Sequence, residues 1–290
     1  LSTEFNKSVI DLIKIRKSIR SYESVGLKQE DKKKIIDFIK KDHNTVFGCK
    51  LRFEFIDASD LDPGDLKNLG TYGMITGAKY FIAGTDKCDS KKDHCLVDFG
   101  YVFEKIILFI TDLGLGTCWL GGTFNKKGFS EKIILKQDEV IPAVSPFGII
   151  SKKKNIKSSI IRKLAGSKNR KQWDKLFFNN SFLNPLDESD SGSYQVPLEM
   201  VRLAPSASNK QPWRIIMENK NILHFFIKRS RIPGYLNMQY IDIGISLCHF
   251  ELATLELDLK GKWEVKEGIQ QNKKYDIDSN TDYIISWNGS

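Results

Sequence analysis

Two stretches of this chain overlay without a gap, and that coincidence limits the folds open to it. Placing Val97-Asp98-Phe99-Gly100 over Ile241-Asp242-Ile243-Gly244, an offset of 144 residues, also aligns Leu108 with Leu252, Leu113 with Leu257, Leu115 with Leu259 and Trp119 with Trp263. The first stretch, Asp98 to Leu115, is apolar nearly all round, the pattern of a helix enclosed by protein on every side. At 1.5 Å per residue it reaches roughly 27 Å, about the width of a domain. Asp242 to Leu259 is its long counterpart. Helices are also expected at Leu1 to Lys14, Lys28 to Lys41 and Pro197 to Leu203. Alternating or β-rich runs at Leu51 to Asp57, Ala78 to Ala83 and Ile141 to Ile150 read as strands, and so do Trp213 to Glu218, Ile222 to Lys228 and Tyr283 to Trp287. Each half thus runs helix, strand pair, long helix, strand. The expectation is an α+β protein of two tandem units, residues 1–178 and 179–290, divided at the acidic Ser/Gly/Pro-containing segment Asn179 to Pro197.

With 290 residues, 41% of them hydrophobic, the chain can bury a sizeable core. No apolar run reaches membrane-spanning length, since Phe99 to Leu115 carries Glu104, Lys105 and Asp112. No secretory signal is visible, and five cysteines without a CxxC pair argue against a disulfide framework or a zinc site. These features lead to the expectation of a cytoplasmic protein. The four histidines lack metal-ligand spacing, and His249 reads as a satisfied core residue. The net charge of +9 is local: Ser151 to Lys175 holds ten Lys/Arg and one acid, Asp174, so the remainder is balanced. A short cationic segment suits one anionic group better than a nucleic-acid track.

The segment Ala204 to Trp213, Ala-Pro-Ser-Ala-Ser-Asn-Lys-Gln-Pro-Trp, should be a rigid polar loop. Pro205 and Pro212 fix φ and push their predecessors towards extended backbone, while Ser206, Ser208 and Asn209 bring turn chemistry. Such a loop can turn backbone N–H groups outward to a planar heterocycle. The same residues also fit a plain helix-to-strand connection ahead of a core tryptophan.

The spacing Ser-x-x-Asn-x-Gln-Pro-Trp (Ser206, Asn209, Gln211, Pro212, Trp213) resembles the flavin-contacting loop of the FMN-dependent nitroreductase family. Arg16-Lys17-Ser18-Ile19-Arg20-Ser21-Tyr22 is similar to the family's Arg-x-Ser-x-Arg-x-(Phe/Tyr) signature. Gly114-Leu115-Gly116-Thr117-Cys118-Trp119-Leu120-Gly121-Gly122 is similar to its long-helix exit and flavin N5 loop. The resemblance runs from about residue 8 to residue 287 and points to the fused-duplicate branch of the family.

It implies a nitroreductase-like α+β fold, with two tandem halves forming an internal pseudo-dimer around long buried helices. It also implies FMN as cofactor. Arg16, Lys17 and Ser18 would hold the phosphate and ribityl chain, joined by a late clamp of Lys168 and Arg170. Leu120, Gly121 or Gly122 would offer a backbone N–H to N5, and Thr71 or Tyr72 would reach the pyrimidine end. Backbone groups of Pro205, Ser206 and Ala207 would hold the opposite side, with Asn209 orienting the loop. Arg20 is expected in a structural ion pair, and Trp213 and Cys118 in the core. The flavin carries the chemistry, so no side chain is expected as nucleophile or metal ligand. The activity implied is ping-pong hydride transfer from NAD(P)H through N5 to a flat electron-poor acceptor, a nitroaromatic or quinone. The alternative is a flavin-binding or basic interaction protein without turnover. The first half keeps the phosphate and N5 motifs and the second keeps the Gln-Pro-Trp loop. The resemblance therefore implies one composite site, one FMN per chain and a monomer, with neither nucleic acid nor membrane as partner.

Overall fold

The computed structural model describes residues 4–61, 69, 75–87, 92–152, 169–230 and 236–290. Its centre is a pair of 21-residue helices, α3 (Lys92–Asp112) and α6 (Leu236–Glu256). Each begins six residues before the sequence expectation and ends three before it, because the apolar periodicity fades later than the helix does. The two cross at glycine. A Cβ on Gly100 would fall inside the carbonyl oxygen of Ile241, and a Cβ on Gly244 inside that of Val97. The reciprocity is that of a local two-fold, and the two backbones touch with no side chain between them.

Two five-stranded sheets pack around this pair. In the first, β1 (Arg52–Asp57) pairs with β2 (Tyr80–Lys87), which pairs with β5 (Val144–Gly148), which pairs with the short β3 (Gly116–Thr117). A further short strand, β4 (Glu139–Val140), extends β2. The order in the second is β6 (Phe177–Asn179), β7 (Trp213–Glu218), β8 (Ile222–Lys228), β10 (Thr281–Gly289), β9 (Gly261–Glu264). Among these described strands, β6 on β7 is the one parallel pairing. The period of two along each strand decides what faces what. Tyr80 and Ile82 of β2 join the helices in one continuous core, together with Trp213, Ile215, Leu223, Phe225 and Trp287 of the second sheet. Phe81 and Ala83 point the other way, onto Phe124 and Phe129 beside α4 (Lys126–Lys132). On the outer face of the second sheet, Ile216 and Phe226 pack on Ile269 and Tyr275.

Three more helices complete the described chain: α1 (Val9–Ile15), α2 (Gln29–Ile39) and α5 (Gln195–Leu203). The amino end of α1 is tied to the far end of α6. Glu256 accepts from the Ser8 hydroxyl at 2.6 Å and from the Val9 N–H at 2.5 Å, placing a carboxylate where the helix leaves its first donors unpaired. In this way the first turn of the chain is held against the second sheet's helix.

One expectation is overturned. Cys49 and Cys95 form a disulfide, with Cα atoms 5.4 Å apart and a separation of 46 positions in the chain. No local spacing marks this pair, because the partners meet only in three dimensions. Asp98, near the start of α3, accepts backbone N–H groups of Val46, Phe47 and Cys49 at 2.8 to 3.1 Å, and this lays the loop along the helix beside Cys95. Cys118 and Cys248 are free and buried.

The glycine crossing can be tested by mutation. Gly244→Ala would drive a methyl group into the Val97 carbonyl and the Tyr101 N–H. It should lower unfolding free energy by about 3 kcal/mol in urea denaturation, at the upper end for overpacking, because backbone cannot move aside as a side chain does.

Candidate functional site

Arg16 caps the carboxyl end of α1, and the chain then runs extended along the edge of the first sheet. Ile19 N–H donates to Thr117 O at 2.8 Å, Thr76 N–H to Arg20 O at 2.9 Å and Tyr22 N–H to Thr76 O at 2.9 Å. This strand-like docking alternates the side chains of residues 18 to 20. Ile19 and Tyr22 are buried, while Ser18 and Arg20 turn to the other side with Arg16. Because Glu256 fastens α1 to α6, that side faces the second half of the chain.

Across the gap lies the polar loop. Ser208, Asn209 and Gln211 have φ of 48°, 55° and 49°, three residues with side chains in the left-handed region within four positions. Such a conformation costs of order 1 kcal/mol or more per residue and persists only where surroundings enforce it. The enforcement comes from residues 169–171. Arg170 donates to Asn209 Oδ1 and to Leu203 O, both at 2.9 Å. Asn209 Nδ2 donates to Asn169 O at 2.6 Å, and Lys171 N–H to Gln211 Oε1 at 2.8 Å. These bonds join Asn209 to residues 169 and 170. Several of the loop's backbone donors are turned inward, however. The N–H groups of Asn209, Lys210 and Gln211 are satisfied within the loop, and that of Ala207 donates to Asp242 Oδ1 at 2.9 Å. The loop supplies shape and side chains more than free donors.

Between the two walls is a cavity of about 300 Å³, of a size suited to a small molecule. Arg16, Lys17, Ser18 and Gly121 line it from the first half, and Pro205, Ser206, Ala207 and Asn209 from the second, with Arg170 between. Leu120 and Gly122 are not in its wall. Leu120 packs into the core beside α4, and its N–H donates to Val144 O at 2.9 Å, so it has no donor to spare. Thr71, Tyr72 and Lys168, and most of the basic connector, lie outside the described residues. Trp213 and Cys118 are buried, and burial raises the Cys118 thiol pKa, which keeps it unreactive.

The sequence reading missed several lining residues. Arg20 was expected in an ion pair, but among the described residues no carboxylate lies within 4.0 Å of it, and its Nε is buried without a partner. The β-like alternation explains this: Arg20 is two residues from Ser18 and so shares its face. Trp119 stands in the wall with its indole N–H on Glu104 at 2.7 Å. Glu104, fully buried on α3, also accepts from His249 Nε2 at 2.9 Å and lies 3.7 Å from Arg16 Nε. That leaves Arg16 Nη1 buried with no partner. Met238, Ile241, Asp242 and Ile245 of α6 form the floor. Only Asp242 left a mark in the sequence, as an acid within a helix of apolar residues.

The cavity's charge balance is positive. Arg16, Lys17, Arg20 and Arg170 border it, and burial followed by the nearby Arg16 lowers the Arg170 pKa to about 10. Guanidinium groups crowded in a partly dry cleft call for a multivalent anion with several acceptors. Among the described residues no His/Cys/Asp/Glu group could hold a metal ion, and no helix is long and apolar enough to cross a membrane.

Residues 8–254 match a family model described as "Putative TM nitroreductase". No curated protein matches the chain. Among solved structures, the "putative nitroreductase" of Thermotoga maritima MSB8 is 18% identical and superposes over 97% of this chain and 93% of its own, with a TM-score of 0.60. An FMN-dependent nitroreductase from Clostridium difficile R20291 is 22% identical over 50% of this chain and 90% of its own, with a TM-score of 0.41. The first of these likenesses shows that the fold is nitroreductase-like.

Asp242 offers a test that needs no ligand. Burial raises its carboxyl pKa to about 8, against 3.8 when exposed. The folded state therefore holds a proton that the unfolded chain releases above about pH 4, so this group's contribution to stability is complete below that pH and is lost as pH rises towards about 8. Relative to Asp242→Asn, which does not titrate, wild-type stability in urea should fall steadily from about pH 4 to about pH 8 and then level off.

Proposed function

The chain belongs to this nitroreductase family, and we propose that its cleft binds FMN and that the protein is an FMN-dependent NAD(P)H oxidoreductase. The observation that carries the reading is the pair of buried guanidinium nitrogens without partners, Arg16 Nη1 and Arg20 Nε, in one cavity with Ser18, Arg170 and Asn209. These residues fit a phosphate with a polyhydroxyl chain behind it. Gly121 fits the close approach of a ring, since a Cβ there would strike the Met238 thioether and narrow the cleft. Once bound, FMN would supply hydride chemistry, taking electrons from NAD(P)H at N5 and passing them to a flat electron-poor acceptor, a nitroaromatic or quinone.

The protein's own part is binding and orientation. Arg16, Arg20 and Arg170 would neutralise the phosphate, and Glu104 holds Arg16 from behind while its other oxygen fixes Trp119. Met238, Ile241 and Ile245 exclude water from the floor. Each half lacks what the other provides, so we read the molecule as an internal pseudo-dimer, divided near residue 179, with one FMN per chain and no need of a second subunit.

Adding FMN to purified protein and following the visible flavin spectrum and quenching of flavin fluorescence should show saturation at one equivalent per chain, on a monomer by sedimentation. Arg16→Ala should weaken that binding about tenfold to hundredfold, the cost of losing charge-assisted hydrogen bonds to a buried anion. Absence of flavin binding would remove this function. Binding without NADPH oxidation in the presence of a nitro compound would leave a flavin-binding protein without turnover.

A further inference from the structure

The two long helices carry an aspartate at matching positions, 144 residues apart, and the two carboxyls have different surroundings. Both oxygens of Asp98 are occupied: Oδ1 accepts from Val46 and Phe47 at 2.8 and 2.9 Å, and Oδ2 from Phe47 and Cys49 at 3.1 and 3.0 Å. Asp242 has one bond. Its Oδ1 accepts from Ala207 N–H at 2.9 Å, while Oδ2 is buried with no partner, on a side chain that borders the Arg16 to Asn209 cavity. The reason lies in the loops. Residues 46–49 turn three N–H groups onto their aspartate, whereas the left-handed turns at Ser208, Asn209 and Gln211 direct the loop's N–H groups inward to Ser206 and Ala207.

A buried, unpaired carboxylate oxygen is expensive, and the remedies are a proton on the oxygen or a donor from elsewhere. No basic group provides the second remedy, as Asp242 makes no ion pair within 4.0 Å among the described residues. We propose that Asp242 contacts the bound ligand directly, its Oδ2–H donating a hydrogen bond to an acceptor atom of the molecule in this cavity. The proposal rests on the cavity being the flavin site and deepens that reading, because a flavin ring presents carbonyl oxygens and ring nitrogens as acceptors while its phosphate meets the arginines.

The groups that face Asp242 are Arg16 and Lys17 at the end of α1, Arg20 in the strand that follows, and Arg170 from the connector, with uncharged Trp119 and Gly121 opposite and uncharged Met238, Ile241 and Ile245 on its own helix. The Ala207 N–H favours the ionised form of Asp242, and burial outweighs it. Lys171 lies behind the loop, where burial lowers its amine to about 8, and it bonds Gln211 O at 3.2 Å. Its titration falls in the same range as that of Asp242 and has to be separated from it.

The experiment is an FMN titration by flavin fluorescence from about pH 7 to about pH 10, above the second ionisation of the phosphate near pH 6. Wild type, Asp242→Asn and Asp242→Ser are compared. Asn keeps an acceptor for Ala207 and presents a permanent N–H donor, while Lys171 and the arginines titrate as before in every variant. Wild-type affinity should fall about tenfold across the range, as one hydrogen bond is lost and a like charge appears. Asp242→Asn should lack that fall, keeping only the change that Lys171 and the arginines impose on every variant, and Asp242→Ser, also non-titrating, serves the same comparison if the Asn variant does not fold. A level wild-type profile, or variants that follow the falling curve, would overturn the proposal while leaving the flavin assignment intact. No binding at any pH would overturn both.

Discussion

The backbone contact between α3 and α6 is the constraint on which the rest depends. With Gly100 and Gly244 each under the other helix's carbonyl, the helices have one crossing point and one depth of approach. The sheets that pack on them are placed accordingly, and a single apolar core runs through residues of both. The approach also fixes the cleft. Arg16 reaches the second half because α1 is capped by Glu256 at the end of α6, and Glu104 meets His249 because their helices touch nearby. A residue with any side chain at either glycine would widen the crossing and move the two walls of the cavity apart.

Electrostatics in the cleft follow from how each charge is backed. Arg16 is steadied at 3.7 Å by a carboxylate that is itself shared with Trp119 and His249, so its neutralisation is incomplete and Nη1 is left over. Arg170 spends one terminal nitrogen on the loop and the other on Leu203 at the end of α5, and so acts as scaffold as well as charge. Arg20 has no carboxylate at all among the described residues. An anion entering this space meets donors already oriented by the protein, and preorganisation of that kind lowers the ordering cost of binding.

Much of the architecture was legible because it depends on periodicity. The 144-residue offset found both long helices and both glycines, and strand alternation found β7 and β8 from end to end. Short pieces were missed, among them β3, β4, β6 and β9, which are defined by partners and not by any pattern of their own. The disulfide was missed for the same reason. In the cavity, the residues carried by contiguous motifs were identified, and nine of those named line it. Leu120, one of three alternatives for a free N–H, gives its N–H to the sheet, which a glycine-rich stretch does not reveal. Arg20 was misassigned because its partner, or lack of one, is a matter of distance. Met238, Ile241 and Ile245 look like ordinary core in a helix that is apolar throughout.

The left-handed turns of the polar loop have a consequence for how the cleft keeps its shape. Ser208, Asn209 and Gln211 hold conformations that the isolated segment would leave, and what retains them is a set of bonds to Asn169, Arg170 and Lys171, some 40 positions earlier in the chain. The loop is thus a sprung latch whose catch belongs to another segment. A disturbance that pulls the catch away would let the latch relax, and the ligand-facing contour would be lost without any change in the residues that form it.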